Sequence, residues 1–306
     1  MTGRSTVAAR PTLRDTLADV RGEVRFDEPL ARYTSMKIGG PADAFAVPAD
    51  EDDLRCVLRA ARAVRAPVMV LGGTNIVVRD GGVAGVVVRL SALKAIRRVG
   101  PNRLYVEAGA LFPALSHAAK DAGLSGLEFA CGIPGTVGGA VVMNAGTRDG
   151  EIADVLESVR LMAPDGEVVE IPASRLAFRY RGSHLPPGVL VGCTVALKPD
   201  DPAAIEGRMQ AILDYRRRTQ PLHLPNAGCI FKNPPGHSAG QLIDELGLKG
   251  HRIGGVQVSE RHANFMVNLG GGTARDLVAL IRHVGSRVER ERGITLELEV
   301  RLVGRG

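Results

Sequence analysis

The chain has 306 residues, 45% hydrophobic and 24% charged, which is enough apolar material for two or three folded domains and excludes a disordered or fibrous protein. Its net charge of +6 comes from basic residues scattered among acids, which reads first as solubility and second as suitability for a small anionic ligand. No Trp, 4% aromatics and no zinc-finger, RRM or helix-turn-helix signature argue against a nucleic-acid partner.

The opening stretch MTGRSTVAARPTLRDTLADV is polar, and residues 1–30 match no motif and are expected to be partly disordered. Ala44-Phe-Ala-Val47 and Val68-Met-Val-Leu71 read as strands. Between them Asp50 can cap a helix, with Asp53 at its third position and Leu54, Val57, Leu58 and Ala61 at helical spacing. This strand-helix-strand unit has the length of a parallel crossover and runs directly into Gly72-Gly73-Thr74-Asn75. From Gly85 to Pro199 short apolar runs alternate with glycine and proline turns, the mark of a strand-rich block. Within it only Leu111 to Ala122, stopped by Gly123, reads as helix.

A helix is predicted from about Ala203 to Arg217, ending at Gln220-Pro221. Ser238-Ala-Gly-Gln241 has the form of a capping box, and a further helix follows from Thr273 through Leu277, Leu280, Ile281, Val284 and Val288. Leu296, Leu298, Val300 and Leu302 then alternate with Thr295, Glu297, Glu299 and Arg301, as in a half-buried strand. Cys56, Cys131, Cys193 and Cys229 lack the paired spacing of a metal knuckle or redox motif, so no metal site is expected and the four read as free thiols of a reducing compartment. Nowhere do about eighteen apolar residues run together, so the protein is expected to be cytoplasmic, with no membrane partner.

Neither a P-loop nor a GxGxxG fingerprint is present. Two glycine-rich stretches remain that could turn backbone amides toward a phosphate: Gly72 to Asn75, and Gly132-Ile-Pro-Gly135-Thr136-Val-Gly138-Gly139 with Asn144-Ala-Gly146 after it. On spacing alone either could be an ordinary tight turn. Likewise Cys229 could be an inert core cysteine, Lys232 and Asn233 surface polar residues, Arg181 a salt-bridging arginine, and Glu299 a solvated strand residue.

Taken together the stretches resemble the UDP-N-acetylenolpyruvoylglucosamine reductase (MurB) family from about Tyr33 to Val303. The matching segments are YTSMKIGGPADAFAVP, VLGGTN with RDGGVAGVVVRL, GLEFACGIPGTVGGAVVMNAG, FRYRGS, QPLHLPNAGCIFKNP, GGVQVSERHANFMVN and LELEVRLVG, in the family's order. The tyrosine-bearing insertion of the family's first structural type is missing, which favours the second. The resemblance implies an α+β fold: an FAD-binding part of the vanillyl-alcohol-oxidase (PCMH) kind in two subdomains, 11–71 with 292–306 and 72–203, and an α+β substrate-binding domain, 204–291. The last strand is expected to return to the first subdomain and carry Glu299 to the flavin.

Carried over position by position, the resemblance places the FAD diphosphate at Gly72, Gly73, Thr74 and Asn75 and at Gly135, Thr136, Gly138 and Gly139, with Asn144 and Gly146 nearby. It makes Arg181 and Glu299 the pair that polarises the substrate carboxylate, and Cys229 the proton donor. Lys232 and Asn233 would contact the UDP portion of the substrate, with Tyr180, Ser183, Gln257 and Asn264 as lesser contacts. The implied reaction is NADPH-dependent reduction of UDP-N-acetylglucosamine enolpyruvate through bound FAD, in peptidoglycan precursor synthesis. A cation beside Cys229, Arg181 or Lys232, is expected to lower the thiol's pKa. One departure stands out: the family usually reads Gly-x-Gly-Ser-Asn where this chain has only Gly72-Gly73-Thr74-Asn75, so weaker FAD contact is expected there. A related FAD-linked oxidase would share the glycine loops without needing the segments around Lys232 and His262, and a non-catalytic nucleotide-binding protein would have little reason to keep Arg181, Cys229 and Glu299.

Overall fold

The strand-helix-strand unit forms as its pattern requires. Strands Pro41–Val47 and Val68–Val70 flank the helix Glu51–Ala63, whose Asp50 cap accepts from the Asp53 amide. Both strands run parallel to Val83–Val88, which lies between them, and Glu23–Pro29 adds an antiparallel edge. Asp53 is fully buried but not orphaned, since its carboxylate accepts from the amides of Arg21, Gly22 and Ala49 and so ties the chain entering the sheet to the helix. The computed structural model describes residues 11–306; the reading of residues 1–10 as polar lies outside the described residues. From residue 11 to 30 the expected disorder is not what the chain adopts. Thr12 and Asp15 form a capping box for the short helix Leu13–Thr16, and strand Glu23–Pro29 pairs in register with Pro41–Val47.

The strand-rich block forms a five-stranded antiparallel sheet in the spatial order Val168–Pro172, Leu156–Met162, Val189–Ala196, Arg103–Glu107, Ile96–Gly100. The helix Phe112–Asp121 packs in this block, begins after Leu111 without a side-chain cap, and is ended at Gly123, whose φ of 66° is the left-handed stop that glycine permits. This block and the parallel sheet share one hydrophobic core, from Leu17 through Val86 and Val106 to Val195.

A second core belongs to a four-stranded antiparallel sheet (Asn226–Cys229, Phe265–Asn268, Val256–Val258, Arg252–Ile253) and the helices Ala239–Glu245 and Ala274–Arg292. The Ser238 capping box closes by half: Ser238 accepts from the Gln241 amide, but the Gln241 side chain donates down the helix to Glu245. Thr273 and Asp276 form the complete box at the longer helix. The preceding helix, Pro202–Thr219, buries Ile205 and Met209 against Cys131 of the strand-rich block.

The alternating segment 296–302 forms a continuous strand only at Arg301–Val303, parallel to Ile76–Val78. Before that residues 297–299 bridge antiparallel to residues 230–232, and the backbone then changes partner to Asn75. The Lys232 amide donates to the Glu297 carbonyl, the Glu299 amide to Ile230, and the Arg301 amide to Asn75. The segment is thus a bridge from the third sheet to the glycine loop after Val68–Val70. Asp80 strengthens this joint by accepting from the Ala274 and Arg275 amides, at the start of the longest helix.

Candidate active site

The two glycine-rich stretches meet. The Thr136 amide donates to the Gly72 carbonyl at 3.0 Å, and the Thr74 hydroxyl donates to Pro134 at 3.4 Å. Only glycine allows this approach. A Cβ at Gly139 would come within 3.2 Å of the Gly72 carbonyl carbon and the Gly73 nitrogen, and one at Gly72 would lie 2.5 Å from the Thr136 hydroxyl oxygen. The Gly73 and Thr74 amides donate to no protein acceptor among the described residues. Helix Val137–Met143, capped by Thr136, starts at the same point with its N-terminus toward the loop.

Two cavities join at this neck, both lined by Gly73, Asn75, Thr136, Gly139 and Met143. One, of about 940 Å³, is walled largely by apolar residues including Leu58, Met69, Leu90 and Leu190. The other, of about 1270 Å³, opens between the strand-rich block and the third sheet and is lined by Arg181, Cys229, Asn233 and Glu299. An elongated dinucleotide fits this shape, with free amides at the waist and a chamber at either end. The short loop is held in place by Ser35, whose hydroxyl donates to the Thr74 carbonyl at 2.7 Å, and by the Asn75 side chain, which donates to the Glu299 carbonyl at 3.3 Å.

Arg181 sits at the tip of the hairpin Ala177–Arg179/Gly182–His184 with φ of 57°, a left-handed conformation uncommon outside glycine. Two side chains brace this hairpin. Asn144, fully buried and itself left-handed at the end of helix Val137–Met143, donates to the Arg179 carbonyl at 3.2 Å and accepts from the Ala153 amide. Ser183 donates to the Val142 carbonyl at 2.9 Å. The braced arginine donates from Nε to Glu299 Oε1 at 2.8 Å across 118 residues of sequence. Burial pushes the Glu299 carboxyl above its usual range, with Arg181 and then Lys232 pulling the other way. Glu299 is therefore not a solvated strand residue: it is a half-buried carboxyl held by a guanidinium.

Cys229 departs from the expected electrostatics. Its thiol is pushed up to about 12, first by burial and then by Glu299, against the smaller effects of Arg181 and Arg216. The lowered pKa expected at this position is overturned because desolvation outweighs the cations. The residue is part-buried and lines the large cavity.

The remaining predicted positions divide. Asn233 lines the large cavity while its Oδ1 accepts from the Ala239 amide, and Gly135 and Gly146 line it too; Gly138 lines the smaller one. Lys232 instead pairs with Glu297 at 3.2 Å and lies outside the lining, as do Tyr180, Ser183, Gln257 and Asn264. Tyr180 is half-exposed beneath the Arg181 guanidinium. The Gln257 amide donates to the Gly250 carbonyl, and buried Asn264 bonds both the amide and the carbonyl of Phe231. Residues not singled out from sequence also line the large cavity, among them Ser35, Lys37, Arg148, Tyr215 and Arg216. Ser35 and Lys37 lie in YTSMKIGG, so that motif carried the signal; the other three have no motif of their own. Among the described residues there is no cluster that could hold a metal ion, and no helix long and apolar enough to cross a membrane.

Comparison with known proteins agrees with this geometry. The profile described as the C-terminal domain of UDP-N-acetylenolpyruvoylglucosamine reductase matches residues 220–303, and that of an FAD binding domain matches residues 42–172. The UDP-N-acetylenolpyruvoylglucosamine reductase of Geobacter metallireducens is 47% identical over 94% of this chain and 96% of its own length. The chain belongs to the UDP-N-acetylenolpyruvoylglucosamine reductase family. The reductase of that name from an Anaeromyxobacter species is 50% identical over 93% of this chain and 90% of its own length. The crystal structure of the Thermus caldophilus reductase (MurB) superposes with a TM-score of 0.80 at 42% identity, covering 93% of this chain and 99% of that one. Membership makes the chain an FAD-dependent reductase of peptidoglycan precursor synthesis. The expected α+β architecture, an FAD-binding fold of the vanillyl-alcohol-oxidase kind with a further α+β unit, is the one present.

Proposed function

We propose that this protein reduces the enolpyruvyl group of UDP-N-acetylglucosamine enolpyruvate in the cytoplasm, with NADPH as reductant. The observation that carries the reading is the Arg181–Glu299 pair at 2.8 Å opposite Cys229 in a cavity that adjoins the glycine neck. The neck fits a dinucleotide because its glycines leave room for a backbone approach that any Cβ would block, and because amides there are free. Gly72 to Asn75, Gly135, Thr136, Gly138 and Gly139 would hold the FAD diphosphate. Asn144 and Gly146 would act from behind, Asn144 through the hairpin that it braces. Bound FAD would supply the hydride transfer between NADPH and the substrate's methylene carbon.

The protein's own groups handle charge and protons. Hydride addition to an enol ether leaves negative charge on the neighbouring carbon and its carboxylate, so a fixed Arg181 stabilises that charge more than it stabilises the ground state. Glu299, its carboxyl pushed above the usual range by burial and bonded to Arg181, holds Arg181 in line. Cys229, protonated throughout the ordinary pH range, delivers the proton that completes the reduction. Asn233 on the cavity wall would contact the UDP portion, with Lys232, Tyr180, Ser183, Gln257 and Asn264 supporting that side of the site. The division into 11–71 with 292–306, 72–203 and 204–291 belongs to the same proposal. The joint at Asn75, Glu299 and Arg301 supports the return of the last segment to the flavin-binding half.

Anaerobic spectroscopy tests the reading. NADPH should bleach the yellow protein, and the enolpyruvyl substrate should restore the colour. Arg181→Ala and Glu299→Gln should leave bleaching near the native rate and slow recolouring by at least about 10². Loss of bleaching in a folded, yellow variant would move these residues to the other half-reaction.

A further inference from the structure

Asn264 is buried and lies outside the lining of both cavities, so it meets no ligand there, yet its side chain is engaged next to the chemistry. The strand that carries Cys229, Asn226–Cys229, does not by itself fix where the sulfur goes. Its register against Phe265–Asn268 slips by one residue between the pair Asn226 with Val267 and the pair Cys229 with Phe265. Gly228, left-handed with a φ of 76°, stands within the slip immediately before the cysteine. Such a bulge re-aims the side chains that follow it, and the strand ends at Cys229. Beyond that point Asn264 holds the chain. Its carbonyl accepts from the Ile230 amide at 2.8 Å, its Oδ1 accepts from the Phe231 amide at 3.0 Å, and its Nδ2 donates to the Phe231 carbonyl at 2.8 Å. The carboxamide thus pairs with both backbone groups of one residue and stands in for the strand ladder.

The clamped segment Ile230-Phe231 meets the rest of the site along its other edge. The Ile230 carbonyl accepts from the Glu299 amide at 2.8 Å, Phe231 bridges to Leu298, and the Glu299 carboxyl holds Arg181 at 2.8 Å. One short segment therefore follows directly on the thiol and carries the backbone of the acid along its flank. The Asn264 side chain also bears on the sulfur: burial and then Glu299 push the Cys229 thiol up, while Arg181, Arg216 and a hydrogen bond from Asn264 pull it the other way. We propose that Asn264 is a positioning residue for proton delivery: through Phe231 it sets the place of the Cys229 thiol relative to Arg181 and Glu299. This deepens the reading above and rests on its assignment of Cys229 as the proton donor.

The test uses the FAD-loaded protein, with the two half-reactions followed separately by stopped-flow absorbance. Asn264→Leu is close in size and loses both bonds to Phe231; Asn264→Ser keeps one polar group, which can meet one of the two backbone partners, and carries the test if the leucine variant fails to fold. In both, bleaching by NADPH and the flavin-to-protein absorbance ratio should stay near native. Recolouring by substrate should slow about tenfold in Asn264→Ser and about 10² in Asn264→Leu, the usual effect of misplacing a reacting group by about an ångström. Because Asn264 acts through the thiol, adding Asn264→Ser to Cys229→Ala, itself slowed by about 10² or more, should cost less than about a further twofold. Equal slowing of both half-reactions, or the full tenfold loss repeated in the Cys229→Ala background, would leave Asn264 a purely structural residue and overturn the proposal; so would native recolouring in a folded Asn264→Ser. Cys229→Ala that recoloured at the native rate would instead sink the proton-donor assignment, and this proposal with it.

Discussion

Cys229 shows how one residue's surroundings can reverse an expectation drawn from its neighbours in sequence. Cations stand nearby, yet the loss of water around the sulfur costs the thiolate more than they return, and the thiol is pushed up to about 12. Only the protonated form donates, so recolouring by substrate should show no alkaline loss near the ordinary thiol value of about 8.5. A stopped-flow pH profile that fell there in the wild type but not in Cys229→Ser would contradict the burial argument. Alkylation reads the same property by another route. Exposed Cys56 should be modified by iodoacetamide first, with activity retained, and Cys229 only slowly, as peptide mapping would record. The thiol's desolvation could not be seen in the sequence, because it depends on what packs around the sulfur from distant segments. The proposed catalytic trio was legible only through its motifs: spacing alone left Arg181, Cys229 and Glu299 far apart.

At the scale of elements, the helices were legible almost to the residue at the ends where a cap or a stop announced them. Asp50, Thr273 and Gly123 each mark a boundary by a local bond or a local φ. The segment 296–302 was not, because alternation records which side is buried and not which strand supplies the hydrogen bonds. The hairpin bearing Arg181 was not legible either, since its brace comes from Asn144, whose left-handed backbone and two side-chain bonds are set by tertiary contacts. Asn144→Ala removes both bonds and leaves a Cβ-bearing residue in an unfavourable φ. It should cost about 2–3 kcal/mol in denaturant unfolding. In the protein that remains folded, recolouring by substrate should slow while bleaching by NADPH does not, because the hairpin tip would drift relative to Glu299.

For the molecule as a whole, the third unit contributes a pH sensitivity separate from the chemistry. His262 and His283 are both held below the ordinary histidine value, in each case chiefly by burial. Lys249 adds to this at His262 while Asp244 opposes it, and His251, Arg287 and Arg290 add to it at His283. The unfolded chain takes up these protons as pH falls through about 6.5 while the folded one resists, so the stability present above that value is lost as pH falls toward the lowered folded values. The melting temperature should be lower at about pH 5.5 than at about pH 7.5. His283 stacks on His251 at 4.2 Å and its buried Nε2 has no partner among the described residues, so His283→Phe should keep the stack and reduce the difference. An unchanged difference in that variant would place the sensitivity elsewhere.

The joint between Asn75 and the Glu299 segment spans 224 residues of sequence. Chains emerge from the ribosome N-terminal end first, and domains fold as they emerge. The glycine neck can therefore assemble on a nascent chain long before the acid that completes the adjoining cavity has been made. For that interval the cofactor would meet a cradle open on one side. On the proposed reading, stable flavin loading would be a late event in this protein's biogenesis, timed by the arrival of the segment that carries Glu299 and not by the folding of the glycine neck.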